Sequence, residues 1–182
     1  MIEIIGPYYS NKPTDDLCAQ IQLALTHYAP DATTLALRDF HAENLIWRTA
    51  YQGDARVGLL DFQDAFVAPP GYDLVSLLRD ARRDVSPKVA DDMISYFAEH
   101  TDAKDPIRTS LACLGVQRNL RILGVFARLV TEVGKQRYLD FMPRVWGHIL
   151  HDLNDPALKD LRQAVLDTVP APTTDKLAGL TT

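Results

Sequence analysis

Side chains that could bind a divalent cation are concentrated in one short stretch of this chain. Asp39, His41 and Asn44 lie between two apolar segments, and Asp61 follows a third apolar segment. If the second and third segments pair as a hairpin, Asn44 begins one arm and Asp61 follows the other, so their side chains converge. Amide and carboxylate oxygens are hard ligands, which Mg²⁺ accepts together with substrate phosphates.

Asp39 precedes Asn44 by five residues, a position from which it could orient a hydroxyl nucleophile opposite the metal. In phosphoryl transfer, the protein mainly positions the donor and the acceptor and neutralises phosphate charge. A single Asp-x-x-x-x-Asn match has low specificity, because acidic residues also form turns at strand ends. The ordered pattern of strand, Asp-x-His-x-x-Asn, strand, turn, strand and Asp-Phe is more specific and predicts phosphoryl transfer. A weaker alternative is hydrolysis assisted by two metal ions, held by Asp39, His41, Asp61 and Asp64.

The elements that must position these residues are predicted from periodicity and capping. A helix is predicted to begin after Thr14, and Ser86 and Asp105, each before a proline, predict two more helix starts. Short strands are predicted at 34–37, 44–47 and 56–60, the last two as hairpin arms. Helices are predicted at 73–82, 87–100, 106–133, 136–150 and 156–168. The predicted fold class is therefore α+β and mainly helical, with one domain over 1–168 and a flexible tail over 169–182.

Composition excludes several functional classes. The formal net charge of −5 over 182 residues argues against non-specific nucleic-acid binding. No apolar run approaches the roughly 18 residues of a membrane span, and the first residues lack the features of a secretory signal. Cys18 and Cys113 show no metal-binding spacing and are predicted to be buried thiols of a cytoplasmic protein. Trp47 and Phe126 are expected to pack in the core.

Two segments resemble a known family. Residues 38–47 (Arg-Asp-Phe-His-Ala-Glu-Asn-Leu-Ile-Trp) and 58–65 (Gly-Leu-Leu-Asp-Phe-Gln-Asp-Ala) resemble the catalytic and metal-binding motifs of the aminoglycoside phosphotransferase (APH) family, small-molecule relatives of protein kinases. Residues 70–85, 117–128 and 143–147 resemble its branch of bacterial cell-wall-sugar kinases. The resemblance implies Mg²⁺-dependent transfer of the ATP γ-phosphoryl group to a small-molecule hydroxyl. In that branch the acceptor is the anomeric hydroxyl of N-acetylmuramate or N-acetylglucosamine, in peptidoglycan recycling.

The resemblance, which covers most of residues 33–168, implies a role for each matching residue. Asp39 matches the catalytic Asp, which orients the acceptor hydroxyl or accepts its proton, and Asn44 and Asp61 match the Mg²⁺ ligands. Asp73 matches an Asp that supports the catalytic loop. For His41 two roles stay open, a hydrogen bond within the loop or a contact with a phosphate.

Three further residues are predicted to bind substrate: Asp64, Arg82 and Arg83. The guanidinium groups suit a carboxylate, such as that of the lactyl group of muramate, or a phosphate. The alternative for the arginines is a solvated or salt-bridged helix face.

Two features depart from the family pattern. Leu37 stands where many members have a histidine, and the sequence contains neither G-x-G-x-x-G nor G-K-[ST]. Since only 38 residues precede Asp39, we expect a kinase-like C-terminal lobe without the N-terminal lobe. The expected partners are a sugar and a nucleotide, with a separately supplied N-terminal lobe or a homodimer as a further partner, and neither nucleic acid nor membrane. The alternative is a non-catalytic remnant or substrate-binding module.

Overall fold

The computed structural model describes residues 8–10, 12–101 and 106–181. Short strands are confined to the first half of the described chain, and helices dominate the rest. This is the mainly helical α+β composition that the sequence predicts. In chain order the elements are α1 (Asp15–Tyr28), β1 (Thr34–Ala36), β2 (Leu45–Trp47), β3 (Val57–Leu59), β4 (Phe66–Ala68), α2 (Tyr72–Leu78), α3 (Pro87–His100), α4 (Ile107–Thr131), α5 (Met142–Asp152), α6 (Lys159–Thr168) and α7 (Thr174–Ala178).

The first of two compact units comprises Met1–Pro30 and Asp105–Thr182. Its centre is α4, which is apolar on most sides and packs against α1 and α5, while α1 also packs against α6. Leu120 and Leu123 of α4 are fully buried. None of the described helices is long and apolar enough to cross a membrane.

The segment 169–182, predicted as a tail, contains α7. The side-chain hydroxyl of Thr173 caps this helix by accepting a hydrogen bond from the backbone N–H of Lys176 at 3.3 Å. Val169 and Leu180, on either side of α7, are buried.

The second unit, Asp31–Lys104, contains four short strands in two antiparallel pairs. β2 pairs with β3 in the register Leu45↔Leu59, as the predicted hairpin requires. β1 pairs with β4 in the register Thr34↔Ala68, a pairing that the sequence did not predict. The two sheets place the loop after β1 and the loop after β3 within one unit.

Two helices complete the second unit, and each begins with a recognisable signal. Gly71 precedes α2 with a φ of 89°, in the left-handed region that glycine adopts without steric cost. Ser86 caps α3 by accepting a hydrogen bond from the Val89 N–H at 3.3 Å, and Pro87 occupies the first turn. The helix start predicted at Ser86 is therefore confirmed, whereas the one at Asp105 lies outside the described residues.

One predicted core residue is not in the core. Trp47 in β2 has 63% of its surface exposed, while Phe126 in α4 is buried as expected. The Trp47 ring stacks beneath the guanidinium of Arg56 at 5.2 Å from the ring centroid, so an exposed cation–π contact replaces core packing.

Candidate active site

The loop before Asp39 is held by the first turn of α2. One carboxylate oxygen of Asp73 accepts a hydrogen bond from the Leu37 N–H at 2.7 Å, and the other accepts from the Arg38 N–H at 3.1 Å. The hydroxyl of Ser76, one turn further along α2, donates to the Arg38 carbonyl at 3.4 Å. Arg38 itself has a φ of 73°, an uncommon conformation for a residue with a side chain. Helix α2 thus fixes a strained residue immediately before Asp39.

The side chain of Asn44 is bound within the same loop. Its Nδ2 donates to the Asp39 carbonyl at 2.9 Å and lies 3.4 Å from Nε2 of His41. A carbonyl oxygen only accepts hydrogen bonds, so the amide atom facing Asp39 must be the nitrogen. Oδ1 of Asn44 is thereby left as the free ligand atom of this side chain.

Asp61 is carried to this loop by the β2–β3 pairing. The ladder extends by one more hydrogen bond, from the Leu60 N–H to the Asn44 carbonyl at 2.9 Å. Leu60 is therefore bonded to Asn44, and Asp61 is the next residue in the chain. Its φ is 57°, and its Oδ1 accepts a hydrogen bond from Nε2 of Gln63 at 2.6 Å. Arg38 and Asp61 are the two non-glycine residues with positive φ among those that the structure describes, and each adjoins or belongs to the predicted site.

The residue types of this site are those that magnesium ions use. Asn44 offers an amide oxygen and Asp61 an exposed carboxylate, and Mg²⁺ is usually held by one or two protein oxygens together with water and phosphate. The two-metal alternative is not supported, because the described residues include no group of three His, Cys, Asp or Glu side chains able to hold a metal.

His41 lies half-buried among charged groups. Burial lowers the pKa of His41 below the ordinary imidazole value, and the positive charge of Arg82 lowers it further. The carboxylates of Asp80, Glu43 and Asp39 act in the opposite direction. The neutral imidazole is thus the favoured form, which leaves one ring nitrogen as a hydrogen-bond acceptor.

The two arginines predicted to bind substrate differ in their surroundings. Nε of Arg82 lies 3.1 Å from a carboxylate oxygen of Glu43, and its NH1 lies 3.8 Å from Oδ1 of the buried Asp80. Arg83 is exposed and makes no ion pair with any residue that the structure describes. Of the two, Arg83 has the guanidinium that is free to meet an anion.

Asp64, the third predicted substrate-binding residue, is exposed and lies 3.8 Å from NH1 of Arg38. This ion pair connects the residue before Asp39 to the loop that follows Asp61. Arg38 was not singled out from the sequence, although its place directly before Asp39 was a signal. Ser76 was also missed, and its spacing of three residues from Asp73 on one helix face could have revealed it.

Comparison with known proteins decides the family. Residues 9–108, more than half of the chain, match the phosphotransferase enzyme family (APH). The chain belongs to this phosphotransferase family. The resemblance found in the sequence is confirmed, and the matched segment contains all the predicted site residues.

Curated proteins similar to this chain are named as sugar kinases. An N-acetylmuramate/N-acetylglucosamine kinase of Caulobacter vibrioides is 48% identical over 134 residues, which are 72% of this chain and 37% of the relative. The proteins of that name from Neisseria meningitidis and Pseudomonas aeruginosa are 36% and 33% identical over 120 residues, in each case 62% of this chain and 34% of the relative. The chain thus spans little more than a third of the length of these relatives.

Proposed function

We propose that this chain carries the catalytic and metal-binding loops of an ATP- and Mg²⁺-dependent sugar kinase. The acceptor is the anomeric hydroxyl of N-acetylmuramate or N-acetylglucosamine, in cytoplasmic peptidoglycan recycling. The observation that carries the proposal is the bonding of Asn44, through its side chain to Asp39 and through its backbone to the residue before Asp61. The names of the three kinase relatives support the choice of acceptor.

In the proposed reaction, each of three residues has one task. Asp39 accepts a hydrogen bond from the acceptor hydroxyl and orients it toward the γ-phosphorus. It takes the hydroxyl proton as the new O–P bond forms and the bond from the γ-phosphorus to ADP breaks. Asn44 Oδ1 and the Asp61 carboxylate would hold Mg²⁺, which would supply positive charge to neutralise the phosphates. The protein therefore contributes mainly position and electrostatics.

Two further residues support this geometry. Asp73 accepts two consecutive backbone N–H groups and so keeps the loop in the conformation that presents Asp39. Two hydrogen bonds to one ionised group suit this task, because charge-assisted bonds are stronger than neutral ones. Arg38 links this loop to Asp64, and we therefore assign Asp64 to loop support as well as to the rim of the sugar site.

On the substrate side, the exposed Arg83 is the candidate partner for the carboxylate of muramate or for a phosphate. Arg82 is a weaker candidate, because Glu43 and Asp80 already neutralise its charge. N-acetylglucosamine lacks the lactyl carboxylate. A contact between Arg83 and that carboxylate would therefore favour binding of N-acetylmuramate over N-acetylglucosamine.

A second candidate function is a substrate-binding module without kinase activity of its own. The chain spans 37% of the length of the Caulobacter protein, so substrate binding by the chain is measured separately from phosphoryl transfer.

Calorimetry distinguishes the two functions. The 182-residue chain is titrated with Mg-ATP and, separately, with each amino sugar. The kinase proposal expects Mg-ATP binding that Asp61→Asn weakens and Asp92→Asn, on the exposed face of α3, leaves unchanged. Sugar binding without nucleotide binding would instead establish the module.

Transfer of phosphate is tested with labelled ATP, in the chain alone and with the N-terminal part of a relative supplied separately. Asp39→Asn should abolish transfer while the circular dichroism spectrum stays unchanged, because the amide cannot accept the hydroxyl proton. Normal turnover by this variant would refute the role of Asp39.

A further inference from the structure

The hydrogen bonds around Asn44 leave the role of the neighbouring His41 unassigned. A side-chain amide has two donor hydrogens and one acceptor oxygen. The Asp39 carbonyl accepts one hydrogen from Asn44 Nδ2 at 2.9 Å, and Nε2 of His41 lies 3.4 Å from the same nitrogen. If His41 accepts the second hydrogen, both donors of the amide are satisfied and only its oxygen is left to bind a ligand.

The contact fixes the form of the imidazole. Since Nδ2 of Asn44 is a donor, Nε2 of His41 can make a favourable contact with it only as an acceptor. The hydrogen of a neutral ring then lies on Nδ1, which is buried and has no hydrogen-bond partner among the described residues. An unpaired buried N–H is unfavourable for folding, and its presence in a loop of this kind calls for a functional explanation.

We propose that His41 is a positioning residue, which accepts a hydrogen bond from Asn44 and thereby keeps the Asn44 oxygen available as a ligand for a divalent cation. The inference rests on the proposed function, because it assigns Asn44 to the metal. It also decides between the two roles left open for His41. A histidine that accepts from Asn44 through Nε2 is neutral and does not serve as a cationic contact for a phosphate.

Three substitutions separate these roles. His41→Gln supplies an acceptor oxygen at similar reach, His41→Lys supplies a cation without an acceptor, and His41→Leu supplies neither. His27, exposed near the end of α1, provides the matched control His27→Leu. Thermal unfolding monitors the fold of each variant.

The first measurement is hydrogen exchange of the two Asn44 side-chain amide hydrogens by nuclear magnetic resonance. Both should be protected in the wild type, in His41→Gln and in His27→Leu. In His41→Leu and His41→Lys one of the two should exchange about tenfold faster, the factor expected for loss of one ordinary hydrogen bond. Unchanged protection of both hydrogens in these two variants would overturn the inference.

The second measurement is a titration with Mn²⁺ alone, followed by paramagnetic broadening of the Asn44 and Asp61 signals. His41→Leu and His41→Lys should weaken binding about tenfold, as loss of a group that orients a metal ligand commonly does. His41→Gln should bind as the wild type does. Wild-type affinity in His41→Lys together with weak binding in His41→Gln would overturn the inference in favour of a cationic role.

A failure of the proposed function gives a different result. If Mn²⁺ broadens neither Asn44 nor Asp61 in the wild type, the metal assignment is wrong whatever the exchange data show. If Mn²⁺ binds to the wild type and Asp61→Asn abolishes binding, while every His41 variant binds equally, only the role of His41 is wrong.

Discussion

The side-chain Nδ2 of Asn44 donates a hydrogen bond to the backbone carbonyl of Asp39 at 2.9 Å. This bond closes the loop that the Asp-x-His-x-x-Asn motif encodes, and it orients the amide with its oxygen free. A second bond, from Leu60 N–H to the Asn44 carbonyl, connects the loop to the segment that ends in Asp61. Asn44, itself a predicted metal ligand, is therefore bonded both to the predicted catalytic residue Asp39 and to the residue before Asp61, the other predicted ligand.

Asp73→Asn should lower the free energy of unfolding by about 1–3 kcal/mol, because the amide can accept only one of the two N–H groups of Leu37 and Arg38 without presenting a donor to the other. Asp92→Asn is the matched control. Asp92 is exposed and pairs with Lys88 one turn away, so its loss should cost at most about 0.5 kcal/mol. Urea denaturation measures both, and equal effects would contradict the support role of Asp73.

Gly71→Ala should destabilise the protein by about 1–2 kcal/mol, because a side chain at φ 89° clashes with the neighbouring backbone. The same change at Gly147, inside α5, should raise the free energy of unfolding by about 0.5–1 kcal/mol, since nothing lies within 4 Å of the new methyl group. Thermal denaturation of the two variants should shift in opposite directions. A stabilised Gly71→Ala variant would show that the left-handed start of α2 is dispensable.

Arg82→Ala and Arg83→Ala should affect different properties. Removal of Arg82 leaves Glu43 and the buried Asp80 without this cation, and should lower the free energy of unfolding by about 1–2 kcal/mol. Removal of the exposed Arg83 should leave stability within about 0.5 kcal/mol while weakening N-acetylmuramate binding. Calorimetry and urea denaturation of both variants test this, and weakened sugar binding in Arg82→Ala alone would reverse the assignment.

Cys113 should react with iodoacetamide only after unfolding. The side chain is fully buried in α4, and burial raises the pKa of its thiol to about 12, so the thiol is almost entirely protonated at pH 8. Raising the pH from 8 to 9 increases the amount of Cys113 thiolate tenfold, but most of the thiol stays protonated. Mass spectrometry should find label on the half-buried Cys18 first, and on Cys113 only in guanidinium chloride. Equal labelling rates in the native protein would contradict this burial.

The β2–β3 hairpin and the starts of α1 and α3 could be predicted because each depends on residues a few positions apart. Ser86 and Pro87 determine a helix start locally, and alternation around a polar turn determines the hairpin. Once the hairpin is given, the backbone bond between Asn44 and Leu60, the residue before Asp61, follows from the antiparallel register. The motif that matches the phosphotransferase family was likewise recognisable in the sequence, and the roles of its residues stay predictions.

Long-range partners were decided only by the tertiary structure. Asp73 binds the backbone N–H groups of Leu37 and Arg38, which lie 36 and 35 positions earlier in the chain. Strand β1 pairs with β4 although residues 37–65 separate them. Local periodicity encodes neither contact. The core prediction for Trp47 was wrong because the burial of an aromatic ring depends on which face of a short hairpin is covered, not on its own hydrophobicity. The different surroundings of Arg82 and Arg83 have the same origin, since adjacent residues of like charge meet their partners only after the chain folds.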